Sequence, residues 1–220
     1  MDKSISLPIS STRKRVSKLN YRFKKFSDKA TVNHRRFLTK SVNFSKREQL
    51  PTGPNLAWRI DSGFVRAISS ERLDRLISLG IWGPEEYVSA TIPQHFSCKI
   101  ECLTDVTLEP ISLKSIDRNL LLLRYIKQTE TLLDIALKRQ VGDRIVALFS
   151  WLSNQFGEGR DSGILITVPL THQDIADLIG TSREAVTRFL RVMEEKQQIY
   201  FEDRLIIFNV SVLAKEKMER

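Results

Sequence analysis

Residues 170–196 read LTHQDIADLIGTSREAVTRFLRVMEEK, a spacing typical of two short helices joined by a tight turn. Ala176 lies four residues before Gly180, and Val186 lies six residues after it. Two helices that cross steeply need a small residue at their contact, a glycine in the turn and a branched apolar residue that seats the second helix. The segment therefore predicts a helix-turn-helix. Its apolar stripe at three- and four-residue spacing is completed by Ile175, Ile179, Phe189, Leu190 and Met193.

Both predicted helices have a candidate start. Thr171 with Asp174 fits a capping box, and Thr181 with Glu184 fits a second one. A second helix that enters the major groove directs its N-terminal side chains at base edges and its flanking hydroxyls at phosphates. The sequence thus predicts that residues near the start of the second helix contact DNA bases.

The chemistry of these side chains divides them into two groups. Arg183 and Arg188 suit guanine O6 and N7, and Glu184 can accept from cytosine N4. Ser182, Thr187, Thr171 and His172 are candidates for contacts to the DNA backbone, which would fix the register without reading sequence. The full predicted DNA-binding set is Arg183, Glu184, Arg188, Ser182, Thr187, Thr171, His172 and Gln173. Alternatives remain open: Glu184 engaged in the cap, Arg188 in an ion pair with Glu184 or Glu195, and Thr187 merely solvated.

The composition is that of an ordinary globular protein. The chain has 220 residues, of which 41% are hydrophobic and 28% charged, which suits two small domains. We find no uncharged apolar run near the roughly 18 to 20 residues that span a bilayer, and no secretory signal at the N-terminus. We therefore expect a cytoplasmic protein with no membrane partner. Its two cysteines make a disulfide framework improbable.

The net charge of +9 is concentrated at the N-terminus. Residues 1–40 contain 12 Lys or Arg and two acids, a balance of +10, which leaves −1 for residues 41–220. Residues 1–41 are predicted to be a basic disordered tail, because they could bury little apolar surface. We expect the tail to follow the DNA backbone. An extension with no role and an organelle transit segment are the alternatives.

Residues 42–113 are predicted to form a small all-β domain, a sandwich or a roll. Turn residues punctuate its short alternating or β-branched runs. The predicted strands lie within Leu56–Ile60, Phe64–Ile68, Leu76–Ile81 and Ile100–Leu108.

Residues 114–140 change to a helical period. The broad apolar stripe comprises Leu121, Leu122, Tyr125, Ile126, Thr129, Leu132, Leu133, Ala136 and Leu137. It covers two adjacent seams, of which one can pack on the β domain and the other on a partner helix. A projecting helix of about 25 residues needs such a partner, so we expect a parallel homodimer. The alternative is a helix buried wholly within one subunit.

Residues 141–220 are predicted to hold a winged helix-turn-helix. Val141–Phe156 reads as a helix, Gly157–Gly163 as a loop and Ile164–Val168 as a strand. Beyond the helix-turn-helix, Ile199–Tyr200 and Leu205–Phe208 read as a hairpin that turns at Glu202 and Asp203. The predicted fold class is α+β: an N-terminal β-roll, a long dimerisation helix and a C-terminal winged helix-turn-helix.

The segment 170–196 resembles the helix-turn-helix of the bacterial CRP/FNR family, named for the cAMP receptor protein and the fumarate-nitrate regulator. The order from β domain through long helix to winged helix is similar too. Ser182-Arg183-Glu184 with Arg188 is similar to the reading pattern of the cAMP receptor type. This resemblance implies a TGTGA-like half-site in an inverted repeat. Residues 171–176 and 186–188 look closer to the nitrogen-control branch, and the β domain looks like a cyclic-nucleotide-binding fold.

The β domain departs from the family where a cyclic phosphate would bind. A phosphate needs a guanidinium or a cradle of backbone N–H groups. No Lys or Arg lies between Arg75 and Lys99, the expected positions read Gln94-His95-Phe96-Ser97, and Glu85 and Glu86 add repulsion. We therefore expect no cyclic nucleotide and no cofactor. An unidentified small-molecule effector, such as a keto acid, or an empty pocket remain alternatives.

The two cysteines favour neither a metal nor a disulfide. Iron-sulfur clusters need about four cysteines. Cys98 and Cys102 fall in a predicted strand, where four residues span roughly 13 Å, and a disulfide spans at most about 7 Å. We expect buried thiols and no metal site. An intersubunit thiol sensor is the alternative.

Three classes of function compete. A sequence-specific homodimeric transcription regulator is preferred, with double-stranded DNA as its partner and RNA polymerase as a candidate partner. A sequence-neutral nucleic-acid binder acting through the tail is the second class. An enzyme using His95 with Cys98 or Cys102 is the third, and it lacks an orienting group and a nucleophile turn. We expect no enzyme.

Overall fold

The computed structural model describes residues 41–69, 77–91 and 98–209, all of which fall within one compact unit. The predicted basic tail, apart from Ser41, therefore lies outside the described residues. So do Gln94–Ser97, where the phosphate-binding positions were expected.

Residues 42–112 are called the β portion. In the part of it that the structure describes, seven strands form two antiparallel sheets. The strands are β1 (Val42–Phe44), β2 (Leu56–Ser62), β3 (Val65–Ser69), β4 (Ile77–Trp82), β5 (Tyr87–Val88), β6 (Lys99–Cys102) and β7 (Val106–Ser112). Among the described residues, one sheet has the order β1-β7-β2-β5 and the other β4-β3-β6. Buried side chains that alternate along the strands, such as Trp58, Ile60 and Leu108, form the core between the sheets.

Gly63 lies in the turn between two of these strands. β2 ends at Ser62 and β3 begins at Val65, with Gly63 between them at φ 84°. A Cβ at this position would lie 2.3 Å from the Asp105 backbone oxygen, so no other residue fits without a shift. The chain reverses here because glycine alone tolerates both constraints.

One predicted strand is in fact two. The run Ile100–Leu108 is divided into β6, which ends at Cys102, and β7, which begins at Val106. The Thr104 hydroxyl accepts from the Phe64 amide at 2.9 Å and donates to the Asp105 carbonyl at 2.8 Å. These bonds stabilise a turn inside a stretch whose apolar content suggests continuity.

A single long helix, α1 (Arg118–Leu137), follows the β portion. Asp117 caps it, accepting from the amides of Asn119 and Leu120, so the helix is shorter than the predicted 114–140. One face is buried. Leu121 and Tyr125 pack in the core of the β portion, and Gln128 bonds to Ile81 of β4. Leu132 and Ile135 pack in a second core, formed mainly by residues 141–208. The other face leaves six apolar side chains exposed, namely Leu120, Leu122, Leu123, Ile126, Leu133 and Leu137.

Helices and short strands alternate in residues 141–208, which we call the winged-helix portion. They are α2 (Val141–Phe156), β8 (Gly157–Arg160), β9 (Gly163–Ile166), α3 (His172–Ile179), α4 (Arg183–Glu195), β10 (Ile199–Glu202) and β11 (Leu205–Phe208). The strands form one antiparallel sheet in the order β10-β11-β9-β8. The buried core joins α2, α3 and α4 to β11 through Phe149, Ile175, Leu190 and Phe208.

Two loop predictions were wrong in this portion. Residues 157–163 were expected to be a loop, but Gly157–Arg160 pairs with Gly163–Ile166 as a hairpin, and β9 ends at Ile166. The second hairpin turns at Asp203 and Arg204, whose φ angles are 46° and 68°. Glu202, expected in the turn, still pairs with Leu205. Two successive positive φ values are typical of a two-residue hairpin turn that follows the strand twist.

No helix of the described part of the chain is both long enough and apolar enough to cross a bilayer.

Candidate nucleic-acid interface

The first helix of the helix-turn-helix begins with the predicted capping box. The Thr171 hydroxyl accepts from the Asp174 amide, and Asp174 Oδ2 accepts from the Thr171 amide at 2.9 Å. Asp174 is fully buried. Burial raises the pKa of this carboxyl, but hydrogen bonds from Thr171 and Arg47 outweigh burial and leave the pKa below its ordinary value. Asp174 is therefore held ionised inside the protein.

Gly180 forms the turn, as the sequence predicts. It caps α3 in the left-handed conformation, with φ 66° and ψ 50°. The amides of Gly180 and Thr181 both bond to the Ala176 carbonyl. This arrangement ends α3 and aims the chain toward α4.

Arg144 of α2 also supports the turn, and sequence reasoning missed it. Its Nη1 donates to the carbonyls of Ile179 and Gly180, each at 3.3 Å, and its Nε donates to the Lys138 carbonyl at 2.7 Å. A cation at the C-terminal end of a helix also complements the helix dipole. Because the bond to Gly180 spans 36 residues, no local pattern announces it.

The predicted cap of the second helix was wrong by one residue. Ser182, not Thr181, is the N-cap of α4, and its hydroxyl accepts from the Ala185 amide at 3.2 Å. Glu184 lies in the first turn, where hydrogen bonds from its own amide and the Ser182 hydroxyl lower the pKa of its carboxyl. Its side chain nevertheless remains exposed, so it can still meet a base.

One face of α4 is buried and the opposite face is open. Val186, Leu190 and Met193 seat the helix in the core. Arg183, Glu184, Thr187 and Arg188 are exposed. In the part of the chain that the structure describes, no carboxylate forms an ion pair with Arg183 or Arg188, so the expected alternative of an Arg188 pair is absent there. The guanidinium of Arg188 instead lies 5.7 Å from the centre of the Phe189 ring.

The two helices of the motif are joined by a polar contact at the open face. His172 Nδ1 lies 2.8 Å from Thr187 Oγ1, and the Thr187 hydroxyl lies 2.9 Å from the Arg183 carbonyl that accepts from it. Thr171, His172 and Gln173 all belong to the start of α3. The structure thus joins His172 of α3 to Thr187 of α4, and both belong to the predicted DNA-binding set.

Charged side chains of the β portion reach the same helix α3. Arg66 Nη1 lies 3.2 Å from Asp177 Oδ2 and 3.4 Å from Asp174 Oδ1. Arg47 Nη1 lies 2.9 Å from Asp174 Oδ1. Sequence analysis assigned no role to Arg47 and Arg66, since their partners in α3 lie more than about 100 residues away along the chain.

Side chains of α1 bond to residues near the expected phosphate-binding positions. Glu86, expected to repel a phosphate, forms an ion pair with Arg124 of α1 and accepts from the Gly83 amide at 2.8 Å. Gln128 Oε1 accepts from the Ile81 amide at 2.6 Å, and the Tyr125 hydroxyl donates to the Ser89 carbonyl at 2.9 Å. Helix α1 therefore bonds directly to the β portion.

Both cysteines are buried, as expected, and both are free thiols in the structure. Burial raises the pKa of the Cys98 thiol to about 11. Burial and the nearby carboxylates of Glu48, Glu101 and Asp105 raise the pKa of the Cys102 thiol to about 12. Thiols with such pKa values are weak nucleophiles near neutral pH.

Comparison with known proteins gives relatives that cover most of the chain. Residues 143–216 match the family described as the Crp-like helix-turn-helix domain. The regulatory protein CysR of Synechococcus elongatus is 33% identical over 165 residues, which are 74% of this chain and 80% of that protein. The global nitrogen regulator of Synechococcus elongatus is 30% identical over 155 residues, 70% of this chain and 66% of that protein.

A solved structure shares the fold. A transcriptional regulator of the CRP family from Thermus thermophilus superposes with a TM-score of 0.63 at 19% identity. The match covers 80% of this chain and 95% of that one. The β strands, long helix and winged helix-turn-helix are thus a known architecture.

Proposed function

Since the chain belongs to the CRP/FNR family of transcription regulators, we propose that it binds an inverted-repeat operator as a homodimer, without a cyclic nucleotide. The observation that carries this proposal is the open face of α4. Arg183, Glu184 and Arg188 are exposed there on a helix whose opposite side is fixed in the core. The buried side of α4 is therefore held in place by packing, and its exposed side is available to contact bases.

The proposed half-site is TGTGA-like. Arg183 and Arg188 each offer two donors to guanine O6 and N7, and Glu184 accepts from cytosine N4. Ser182, Thr187, Thr171 and His172 are proposed to contact the DNA backbone, and Gln173 belongs to the same proposed DNA-binding set. The His172–Thr187 contact supports a shared surface, because it joins two of these proposed backbone contacts, one from each helix.

The exposed face of α1 supports the homodimer. Leu123, Ile126, Leu133 and Leu137 recur at three-, seven- and four-residue intervals, with Glu130 between them, and their exposed fractions run from 43% to 73%. This is the spacing of a coiled-coil seam, and an apolar stripe of this kind is stabilised by a second copy. Two copies would present their α4 helices about 34 Å apart, one per successive major groove.

Independence of cyclic nucleotides rests on charge. The sequence from 76 to 98 has no Lys or Arg, and Arg124 of α1 is already paired with Glu86. Binding of a different effector, contact with RNA polymerase and action in the cytoplasm belong to the same proposal. In this account the protein acts by binding and performs no catalysis.

The proposal is tested by selecting binding sites from a randomised DNA pool with the purified full chain and no added effector. We expect an inverted repeat with half-sites about ten base pairs apart. Arg183→Ala should cost about 1 to 3 kcal/mol and relax the preference for one base. If Arg183→Ala leaves affinity unchanged, the specific regulator is rejected in favour of sequence-neutral binding through the basic tail. If no motif emerges, either an effector is required for specific binding or the tail governs binding.

A further inference from the structure

Five charged side chains join the β portion to helix α3, and we call them the bridging charge cluster: Arg47, Arg66, Glu101, Asp174 and Asp177. Arg47 lies between β1 and β2, Arg66 in β3 and Glu101 in β6, whereas both aspartates lie in α3. Every N–O distance among the pairs falls between 2.8 and 3.4 Å. The two cations and three carboxylates carry a net charge of −1.

The cluster is buried enough that its members depend on one another. The side chains of Arg66 and Asp174 are 2% and 1% exposed, and that of Glu101 is 12% exposed. A charge buried to this degree is stable only beside an opposite charge. Separating the β portion from α3 would leave Asp174 and Asp177 without the guanidiniums that neutralise them. The cluster therefore favours one arrangement of the two portions.

The cluster reaches the proposed DNA surface through both of its aspartates. Asp174 Oδ2 accepts from the amide of Thr171, one of the proposed DNA contacts, at 2.9 Å. Asp177 Oδ2 lies 3.2 Å from Arg66 Nη1, and Asp177 Oδ1 accepts from Gln173 Nε2 at 2.8 Å. Gln173 is exposed at the start of α3, in the proposed set of DNA contacts. Asp177 thus connects Arg66 of the β portion to a side chain of the proposed DNA surface.

Apolar packing surrounds this polar link. Ile81 and Leu103 of the β portion belong to the same buried core as α2, α3 and α4. The Phe64 and Phe156 rings meet edge to face, with centroids 5.4 Å apart. The covalent connection between α1 and α2 is only three residues, 138–140. Apolar contacts resist separation but tolerate sliding, whereas ion pairs with defined geometry fix the register.

From these contacts the geometry points to Arg47, Arg66 and Asp177 as positioning residues for DNA recognition, which lock the orientation of the reading helix α4 within each subunit. The inference rests on the proposed function. In a homodimer, two reading helices must meet half-sites at a fixed spacing, so a mobile winged-helix portion would lower the effective concentration of the second helix. Fixing the orientation of α4 in this way leaves the affinity for one half-site unchanged and raises the affinity for an operator with two half-sites.

The test compares two arginines of equal exposure. Arg47 and Arg59 are 42% and 43% exposed, and each pairs with two carboxylates, but the partners of Arg59 are Asp61 and Glu109 within the β portion. Full-chain Arg47→Gln and Arg59→Gln are titrated against the selected operator, a single half-site, and operators lengthened or shortened by one base pair. Circular dichroism and mass in solution verify fold and assembly.

We expect Arg47→Gln to weaken binding to the full operator about tenfold, to leave half-site binding unchanged and to reduce the penalty for altered spacing. Arg59→Gln should match the wild type in all three assays. Asp177→Asn, which keeps an oxygen acceptor for Gln173 but loses the ion pair with Arg66, should behave as Arg47→Gln does.

Two results overturn the inference. If Arg47→Gln and Asp177→Asn bind all operators as Arg59→Gln does, the cluster does not position α4. If they lose half-site and full-site affinity equally, the cluster only stabilises the helix-turn-helix. Failure of the proposed function is a separate result, because the wild type itself would then show no operator preference.

Discussion

At the scale of the residue, Asp174 serves two parts of the molecule with its two oxygens. Oδ2 closes the capping box with Thr171, whereas Oδ1 faces the guanidiniums of Arg47 and Arg66. The capping role was predictable, because the cap and its partner are three residues apart. The pairing was not, since the arginines precede Asp174 by more than about 100 residues.

Replacing Asp174 with Asn should lower the free energy of unfolding by about 1.5 to 3 kcal/mol at pH 7, the range for hydrogen bonds to a charged group. The lowered pKa of Asp174 means that the ionised form contributes stability above the unfolded pKa, about 4, and that this contribution disappears as pH falls through the folded pKa. The difference between variant and wild type should therefore shrink below about pH 4.

Urea denaturation at several pH values measures this effect. Asp117→Asn is the control, because Asp117 caps α1 from an exposed position and Asn is also a good cap. Its stability should change by less than about 0.5 kcal/mol. A deficit of Asp174→Asn that stays constant from neutral to acidic pH would contradict the assignment of an ionised carboxylate.

At the scale of the element, apolar periodicity located helices well and edge strands poorly. Helix α2 was predicted at its observed limits, because apolar side chains recur along the whole of Val141–Phe156. Strand β8 was missed because its residues, Gly157 to Arg160, are all exposed and none is a large apolar residue. The cap of α4 was shifted because Thr181 and Ser182 are adjacent hydroxyl residues, and only the backbone angles distinguish them.

Gly180, in the turn of the helix-turn-helix, allows the cost of a left-handed backbone conformation to be measured without steric conflict. A Cβ on Gly180 would meet nothing within 4 Å, so Gly180→Ala is opposed only by the left-handed φ of 66°. We expect a loss of about 1 to 2 kcal/mol in the free energy of unfolding. Gly180→Asn should lose less, because Asn tolerates this region.

Chemical denaturation of Gly180→Ala, Gly180→Asn and Gly159→Ala separates the effect of backbone conformation from the effect of steric space. Gly159→Ala in β8 is the control, since its Cβ also meets nothing within 4 Å and its φ is not positive. It should be neutral or slightly stabilising. Equal losses for Gly180→Ala and Gly159→Ala would show that the left-handed turn is not what glycine provides at position 180.

At the scale of the whole molecule, the sequence predicted the order of parts but not how they are held together. Composition and the spacing of apolar residues distinguished the β portion, the long helix and the winged-helix portion, because apolar residues recur at a different spacing in each. Contacts such as Arg66 with Asp177 or Phe64 with Phe156 depend on which faces meet after folding. The sequence signals such ion pairs only through charged residues that have no oppositely charged residue nearby in the chain. That signal does not identify the residue with which each one pairs.

Assembly is the prediction that belongs to this scale. Leu133 is 57% exposed in the proposed seam of α1, so Leu133→Glu would place a charge at the dimer contact. We expect the variant to be monomeric by light scattering at micromolar concentration and to bind the full operator about 100-fold more weakly, because the two half-sites are then bound separately.

The matched control introduces the same charge elsewhere. Ile77 is 44% exposed at the start of β4 rather than on α1, and Ile77→Glu should remain dimeric with unchanged affinity. A dimeric Leu133→Glu would mean that another surface joins the subunits. A monomeric Ile77→Glu would mean that the β portion takes part in assembly.

The buried thiols make the native protein a convenient host for fluorescent or spin labels. With pKa values of about 11 and 12, Cys98 and Cys102 are thiolates in roughly one molecule in ten thousand or fewer at neutral pH. Maleimides would therefore react first with a cysteine placed on the surface. Movements of the winged helix can be followed by such probes without first replacing either native cysteine.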